Sequence, residues 1–221
     1  MKNITRMILF INIFFLFIIN NSPAQIKVGL LGGINYSNIV NFNPFQMIST
    51  QSAPSQYNEK FEKTLKPGLI FGLILDYPIN ENISLYIQPA FVIKKNSFIS
   101  KPSTIIIVDT YYNINVPLFM KFTPLKILDL NPFLNVGVGI EYLIKATSKI
   151  GINQDNEETR LYNKNNFLLL IGLGTDYSIS QSVSTTINLY YSYGLTNYLS
   201  NSSTFGRTSD ISILTGLLYK L

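Results

Sequence analysis

Eight charged residues occupy positions where their chemistry would be unusual. Lys27, Asp76, Lys121, Asp176 and Lys220 form one group, and Lys94, Glu141 and Asp210 a second. Each alternates with apolar neighbours, and alternate residues of a strand share one face. Opposite charges held on that face away from water must pair, because an isolated one is costly. Two roles stay open, a gate or solute path and a salt-bridged plug that fixes strand register. The plug is favoured, because the interior of an eight-stranded barrel is just wide enough for side chains to fill. Acid–base work by a carboxylate pair is the weaker alternative: Glu141 and Asp176 fall near opposite ends of their strands, too far apart for glycosidase chemistry.

Other chemistries are excluded by what the chain lacks. It has no histidine, cysteine or tryptophan, which removes disulfide scaffolds, Cys/His zinc sites, histidine acid–base catalysis and Ser-His or Cys-His nucleophiles. "GLLGG" at 29–33 and "GLGTD" at 172–176 invite a phosphate-loop reading, but no Gly-Lys-Ser/Thr follows and no helix begins there. They read as interior strand positions with close neighbours. "NIS" at 82–84 and "NSS" at 201–203 match the glycan acceptor pattern, a three-residue signal too short to carry weight by itself. No catalytic residue, cofactor site or metal site is expected.

The elements that position the charges follow a period of two. Apolar residues recur at Ile26–Tyr36, Leu69–Ile79, Ile83–Ile93, Tyr112–Phe122, Leu134–Tyr142, Phe167–Tyr177, Ile187–Leu195 and Ile211–Leu221. That predicts eight strands, each with one apolar face. Short links, 80–82, 123–131 and 178–182, alternate with long polar ones at about 40–65, 97–108, 146–163 and 197–208. Long loops at one end and short turns at the other are the pattern of an antiparallel up-and-down barrel of the bacterial outer membrane, with both termini on the periplasmic side.

Only 13% of the 221 residues are charged and 47% are hydrophobic, about half the charge of an ordinary soluble protein. Lys2 and Arg6, the apolar run Met7–Ile19, and the small residues Ser22 and Ala24 read as a secretory signal peptide over 1–24. Residues 25–221 then form the barrel domain. Removing Lys2 and Arg6 lowers the formal charge from +5 to +3. With no basic run, nucleic acid is not an expected partner.

The second face, with Gly29, Gly33, Asn113, Asn115, Asn135, Gly137, Gly139, Ser184, Thr186, Asn188 and Ser192, is read as small and polar, suited to a narrow interior. The aromatics indicate which face meets lipid. Tyr77, Phe122, Tyr177 and Tyr219 lie on the apolar face near the short turns, and Tyr36, Tyr112, Tyr142, Phe167, Tyr191 and Tyr193 lie on it near the long loops. Two aromatic girdles flanking an aliphatic band mark a membrane-spanning barrel.

"KVGLLGGINYSNI", "YYNINVPLFMKFTP", "PFLNVGVGIEYL", "FLLLIGLGTDY" and "YYSYGLTN", in that order, resemble the PorT-like outer-membrane β-barrel family of Bacteroidetes. The resemblance spans nearly all of 26–221. It implies an eight-stranded outer-membrane barrel without established catalysis, and a link to protein secretion through the member that names the family. The chain departs from the usual pattern in ending on Leu221 rather than an aromatic.

The expected role is therefore structural or interactive within the envelope. Outer-membrane lipid is one partner, and envelope or secretion proteins would be met through loops 40–65 and 146–163. The alternative is a narrow channel, or a barrel that binds a small ligand in its polar lumen. Oligomeric state is not legible.

Overall fold

A computed structural model describes residues 25–40, 60–101, 106–125, 127, 129–150, 156–157, 159–198, 200 and 206–221. Residues 1–24, expected as a signal peptide, and most of the connection expected at 40–65 lie outside the described residues. The strands are β1 (Lys27–Val40), β2 (Lys60–Leu65), β3 (Pro67–Pro78), β4 (Ile83–Ile87), β5 (Ala90–Lys101), β6 (Ile106–Phe122), β7 (Leu130–Ile150), β8 (Asn156–Glu157), β9 (Asn165–Ser178), β10 (Val183–Gly194) and β11 (Arg207–Lys220). A 3-10 turn covers Thr159–Leu161.

All pairings are antiparallel, and they close. β1 pairs with β3 on one side and β11 on the other, and β6, β7, β9 and β10 complete the ring. β4 and β5 together make one wall strand between β3 and β6, interrupted where Pro89 cannot donate to the ladder. The sequence reading treats Ile83–Ile93 as continuous; the proline accounts for the break. The ring therefore has the eight walls that the alternation predicts, and β2 and β8 extend it beside β5 and β7.

Following paired residues once around, from Tyr142 through Ile114, Phe91, Phe71, Gly32, Thr215, Ile187 and Thr175, returns to β7 at Pro132. That is a stagger of ten residues. With strand rise and spacing of about 3.3 and 4.7 Å, the strands tilt by about 40°. On β6, Tyr112 and Phe122 both face outward, ten positions apart. Their vertical separation is then about 25 Å, the height of a barrel's lipid-facing band.

Side-chain exposure runs opposite to that of a water-soluble barrel. Outward Leu30, Val136 and Ile171 are 67%, 62% and 60% exposed, whereas inward Asn113 and Asn135 are fully enclosed. A wall this apolar is stable only against lipid. The strands also continue past the band. Segments 97–108 and 146–163, expected as loops, contain the ends of β5, the start of β6, the end of β7 and β8. β6 alone runs six residues beyond Tyr112, roughly 15 Å of paired hairpin above the lipid-facing zone.

Candidate functional site

The interior is built in layers, beginning at the short-turn rim. A polar cavity of about 570 Å³ opens there, lined by Lys27, Lys220, Ser84 and the turn residues Asn80–Asn82. Its floor is Lys121, whose Nζ lies 2.9 Å from Asp76 Oδ2 and 2.6 Å from Asp176 Oδ2. Lys27 Nζ is 3.7 Å from the same Asp176 oxygen. Lys220 stands opposite Lys27 in the β1–β11 register and lines the cavity mouth. The tight turns are set by short polar side chains: Asn80 Oδ1 accepts from the backbone N–H groups of Asn82 and Ile83, and Ser180 Oγ accepts from that of Val183.

Above Lys121 the bore becomes apolar, which corrects the reading of this face as small and polar. The Lys121 ammonium sits 4.8 Å from the Tyr86 ring centre and 4.4 Å from that of Phe133, close enough for cation–π attraction. Tyr86 contacts Phe119 at 6.3 Å, and Phe119 meets Tyr190 edge-on at 5.7 Å. Leu31, Ile70, Ile74, Leu168, Leu170, Leu214 and Leu218 fill the remaining space. The interior glycines make room for these groups. A Cβ on Gly174 would meet the Phe133 ring, and one on Gly172 would come within 2.7 Å of Tyr190 Cβ.

The second ion cluster lies on the far side of this apolar layer. Lys94 Nζ is 2.5 Å from Glu141 Oε2 and 2.7 Å from Asp210 Oδ2. Ser192 donates to Asp210 at 3.2 Å, and Asn166 donates to Thr208 at 2.9 Å. Glu141 and Asp176 thus belong to different clusters with packed side chains between them, as their sequence positions require. All eight expected charges face the interior. The structure joins Lys27, Asp76, Lys121 and Asp176 in one network and Lys94, Glu141 and Asp210 in another.

A third layer, which the sequence reading missed, caps the bore at the long-loop rim. Tyr111, Tyr162 and Tyr198 converge with ring centres 5.1 to 5.6 Å apart, and the hydroxyls of Tyr111 and Tyr162 are 3.1 Å apart. Tyr162 and Tyr198 come from two different connections, which are stapled together. Asn163 N–H donates to Tyr198 O, Asn163 Nδ2 to Asn197 O, and Ser200 N–H to Leu161 O.

The girdle residues lie on the outer wall at both rims. Tyr142, Tyr177, Tyr191, Tyr219 and Phe122 are exposed, and Tyr36, Tyr77, Tyr112 and Tyr193 are half-buried. Arg207 packs over the Tyr193 ring, and Ser209 donates to the Tyr191 hydroxyl. Among the described residues, no group of three or more acidic side chains could hold a metal ion.

The family model described as "Outer membrane protein beta-barrel domain" matches residues 20–200. The chain belongs to this outer-membrane β-barrel family. It is similar in fold to Neisserial surface protein A, at 14% identity and a TM-score of 0.50, with 90% of this chain and 98% of that one covered. OprG of Pseudomonas aeruginosa is similar at 13% identity and a TM-score of 0.46, over 90% and 96% of the two chains. Ail of Yersinia pestis follows at 13% and 0.42, over 90% and 100%. Among curated proteins none matches. The protein is a small barrel of the outer membrane, in contact with its lipid.

Proposed function

We propose that this barrel is a closed, non-catalytic interaction protein of the envelope, akin to the PorT-like barrels of Bacteroidetes and associated with secretion. In this reading residues 1–24 are removed as a signal peptide, and 25–221 form the barrel with both termini periplasmic. Partners are met through the connections at 40–65 and 146–163. The observation that carries the reading is the Tyr86–Phe119–Tyr190 layer between the Lys121 and Lys94 clusters, because a bore filled by packed rings leaves no continuous aqueous path. The stapled rim supports it further by presenting an ordered surface. The absence of histidine and cysteine disfavours the common hydrolytic and acyl-transfer mechanisms.

A second reading, a small-ligand barrel or narrow channel, is favoured by one feature. Amide atoms of Asn96, Asn113 and Asn115 on the Lys94 side of the bore, and of Asn135 and Asn188 toward the Lys121 side, have no hydrogen-bond partner among the described residues. Such groups ask for water or a polar guest. Planar-bilayer recording separates the two. The closed barrel gives no unitary openings, and discrete steps that change when Lys121 or Asp176 is neutralised would replace the first reading with the second. A pull-down from gently solubilised outer membrane then identifies the partner.

A further inference from the structure

The outer wall carries a groove of about 370 Å³ just beyond the long-loop girdle, lined by Phe91, Tyr112, Ile144, Lys145, Thr147 and Glu157. Its defining feature is a β-bulge. On β7, Leu143 pairs with Asn113 and Lys145 with Tyr112, leaving Ile144 as the extra residue. Strict alternation would send Lys145 into the bore with Glu141 and Leu143. The bulge instead turns Ile144 and Lys145 together onto the wall, where both are exposed.

The neighbouring rungs complete a polar shelf over an apolar one. Lys95, Thr110 and Thr147 are successive partners across β5, β6 and β7, and Ile93, Tyr112 and Lys145 form the rung toward the membrane centre. Below them the Phe91 and Tyr112 rings stack at 6.4 Å with 29° between their planes. The two rims differ in charge direction. Lys95, Lys145 and Arg207 lie on the outward parity of the long-loop rim, whereas Lys27, Lys121 and Lys220 at the other rim point inward. A lysine on the lipid side at girdle height is stabilised by an anionic headgroup beside it.

We propose that Lys145 and Lys95, with the Thr147 and Thr110 hydroxyls between them, bind the phosphate of a membrane-embedded phosphorylated lipid. Its acyl chain lies along Phe91, Tyr112 and Ile144. The site belongs to the leaflet that the long loops enter; that this is the outer leaflet rests on the proposed periplasmic termini, but the site itself does not. Glu157 stands opposite Thr147 on β8 and accepts from Thr159 at 3.2 Å. It walls the groove and directs the phosphate toward Lys95.

The test uses the full barrel in phosphatidylcholine nanodiscs containing bis-phosphorylated lipid A or the same lipid stripped of its phosphates, with retained lipid counted by native mass spectrometry. The barrel retains the phosphorylated form and not the stripped one, and inorganic phosphate fails to displace it. Lys145→Gln weakens retention about five-fold and the double variant with Lys95→Gln about thirty-fold, while Glu157→Gln strengthens it. Heat-modifiable gel mobility checks that each variant folds. Equal retention of the stripped lipid by the unmodified barrel, unchanged retention by the folded double variant, or displacement by free phosphate each overturns the site. Protease access to the loops on intact cells reports orientation separately; failure there changes the leaflet and leaves the lipid site standing.

Discussion

Lys121 Nζ and Asp176 Oδ2 lie 2.6 Å apart although the residues are 55 positions apart in the chain. They come from strands separated only by β7 and meet over its inner face, so the contact depends on the registers that set β6 and β9 on either side of β7. With Asp76 at 2.9 Å, one buried cation holds two buried carboxylates. Lys121→Met takes from Asp76 its close cation and leaves Asp176 only the more distant, partly exposed Lys27, and is expected to cost about 3–5 kcal/mol. Adding Asp76→Asn and Asp176→Asn should recover most of the loss. Urea midpoints read from heat-modifiable gel mobility check both, and an unchanged midpoint for Lys121→Met would remove the cluster from the account of stability.

Phe119 touches both Tyr86 and Tyr190 at the centre of the apolar layer. Phe119→Ala is expected to destabilise the barrel by about 3–5 kcal/mol through the cavity it leaves. Combined with Tyr190→Ala, it should join the polar regions above and below and turn a silent barrel into one with discrete conductance steps. A double variant that folds and remains silent would mean that another layer closes the bore.

Ile171, 60% exposed on β9, lies within the lipid-facing band, and Tyr142 lies at the long-loop girdle. Arginine at Ile171 should cost about 2–4 kcal/mol, and at Tyr142 no more than about 1 kcal/mol. Equal costs in reversible unfolding into lipid vesicles would contradict the placement of the band.

Asp109 sits on β6 three residues beyond Tyr112, outside the lipid-facing band, and is 6% exposed. Burial pushes its carboxyl up to about 6, against the opposing influence of the Ser148 and Tyr111 hydroxyls and the Lys63 ammonium. The folded hairpin therefore holds the proton more tightly than the unfolded chain. Asp109's contribution is complete below about pH 4 and is lost as pH rises through about 6, a change on the order of 2–3 kcal/mol. Amide exchange across 106–111 should be slower at pH about 5 than at pH about 7.5 after correction for intrinsic rates. Asp109→Asn should abolish the difference.

The strands, their faces and the girdles were legible because each depends on alternation along a single segment. Leu69, Phe71, Leu73 and Leu75 announce the lipid side of β3 without reference to any other strand. The interior was harder to read. In "NLYYSYG" Tyr190 and Tyr191 are adjacent, and alternation marks one as outward without revealing that the other packs on Phe119. Leu168 and Leu170 were hidden in the same way inside "FLLLIG". The partners of Lys121 and Lys94 depend on the registers between strands, which no single segment encodes. The bulge at Ile144 has no glycine or proline to mark it, and Tyr162 and Tyr198 stand in connections whose mutual stapling is long-range.

That stapling determines what a binder can recognise. Because Asn163 grips the backbone at 197–198 and Ser200 grips Leu161, the two segments present one discontinuous epitope rather than two independent tips. Antibodies raised against the folded barrel at this rim will recognise it and ignore synthetic peptides copied from either segment, so immunogens built from isolated loop sequences will fail to reproduce its native antigenic surface.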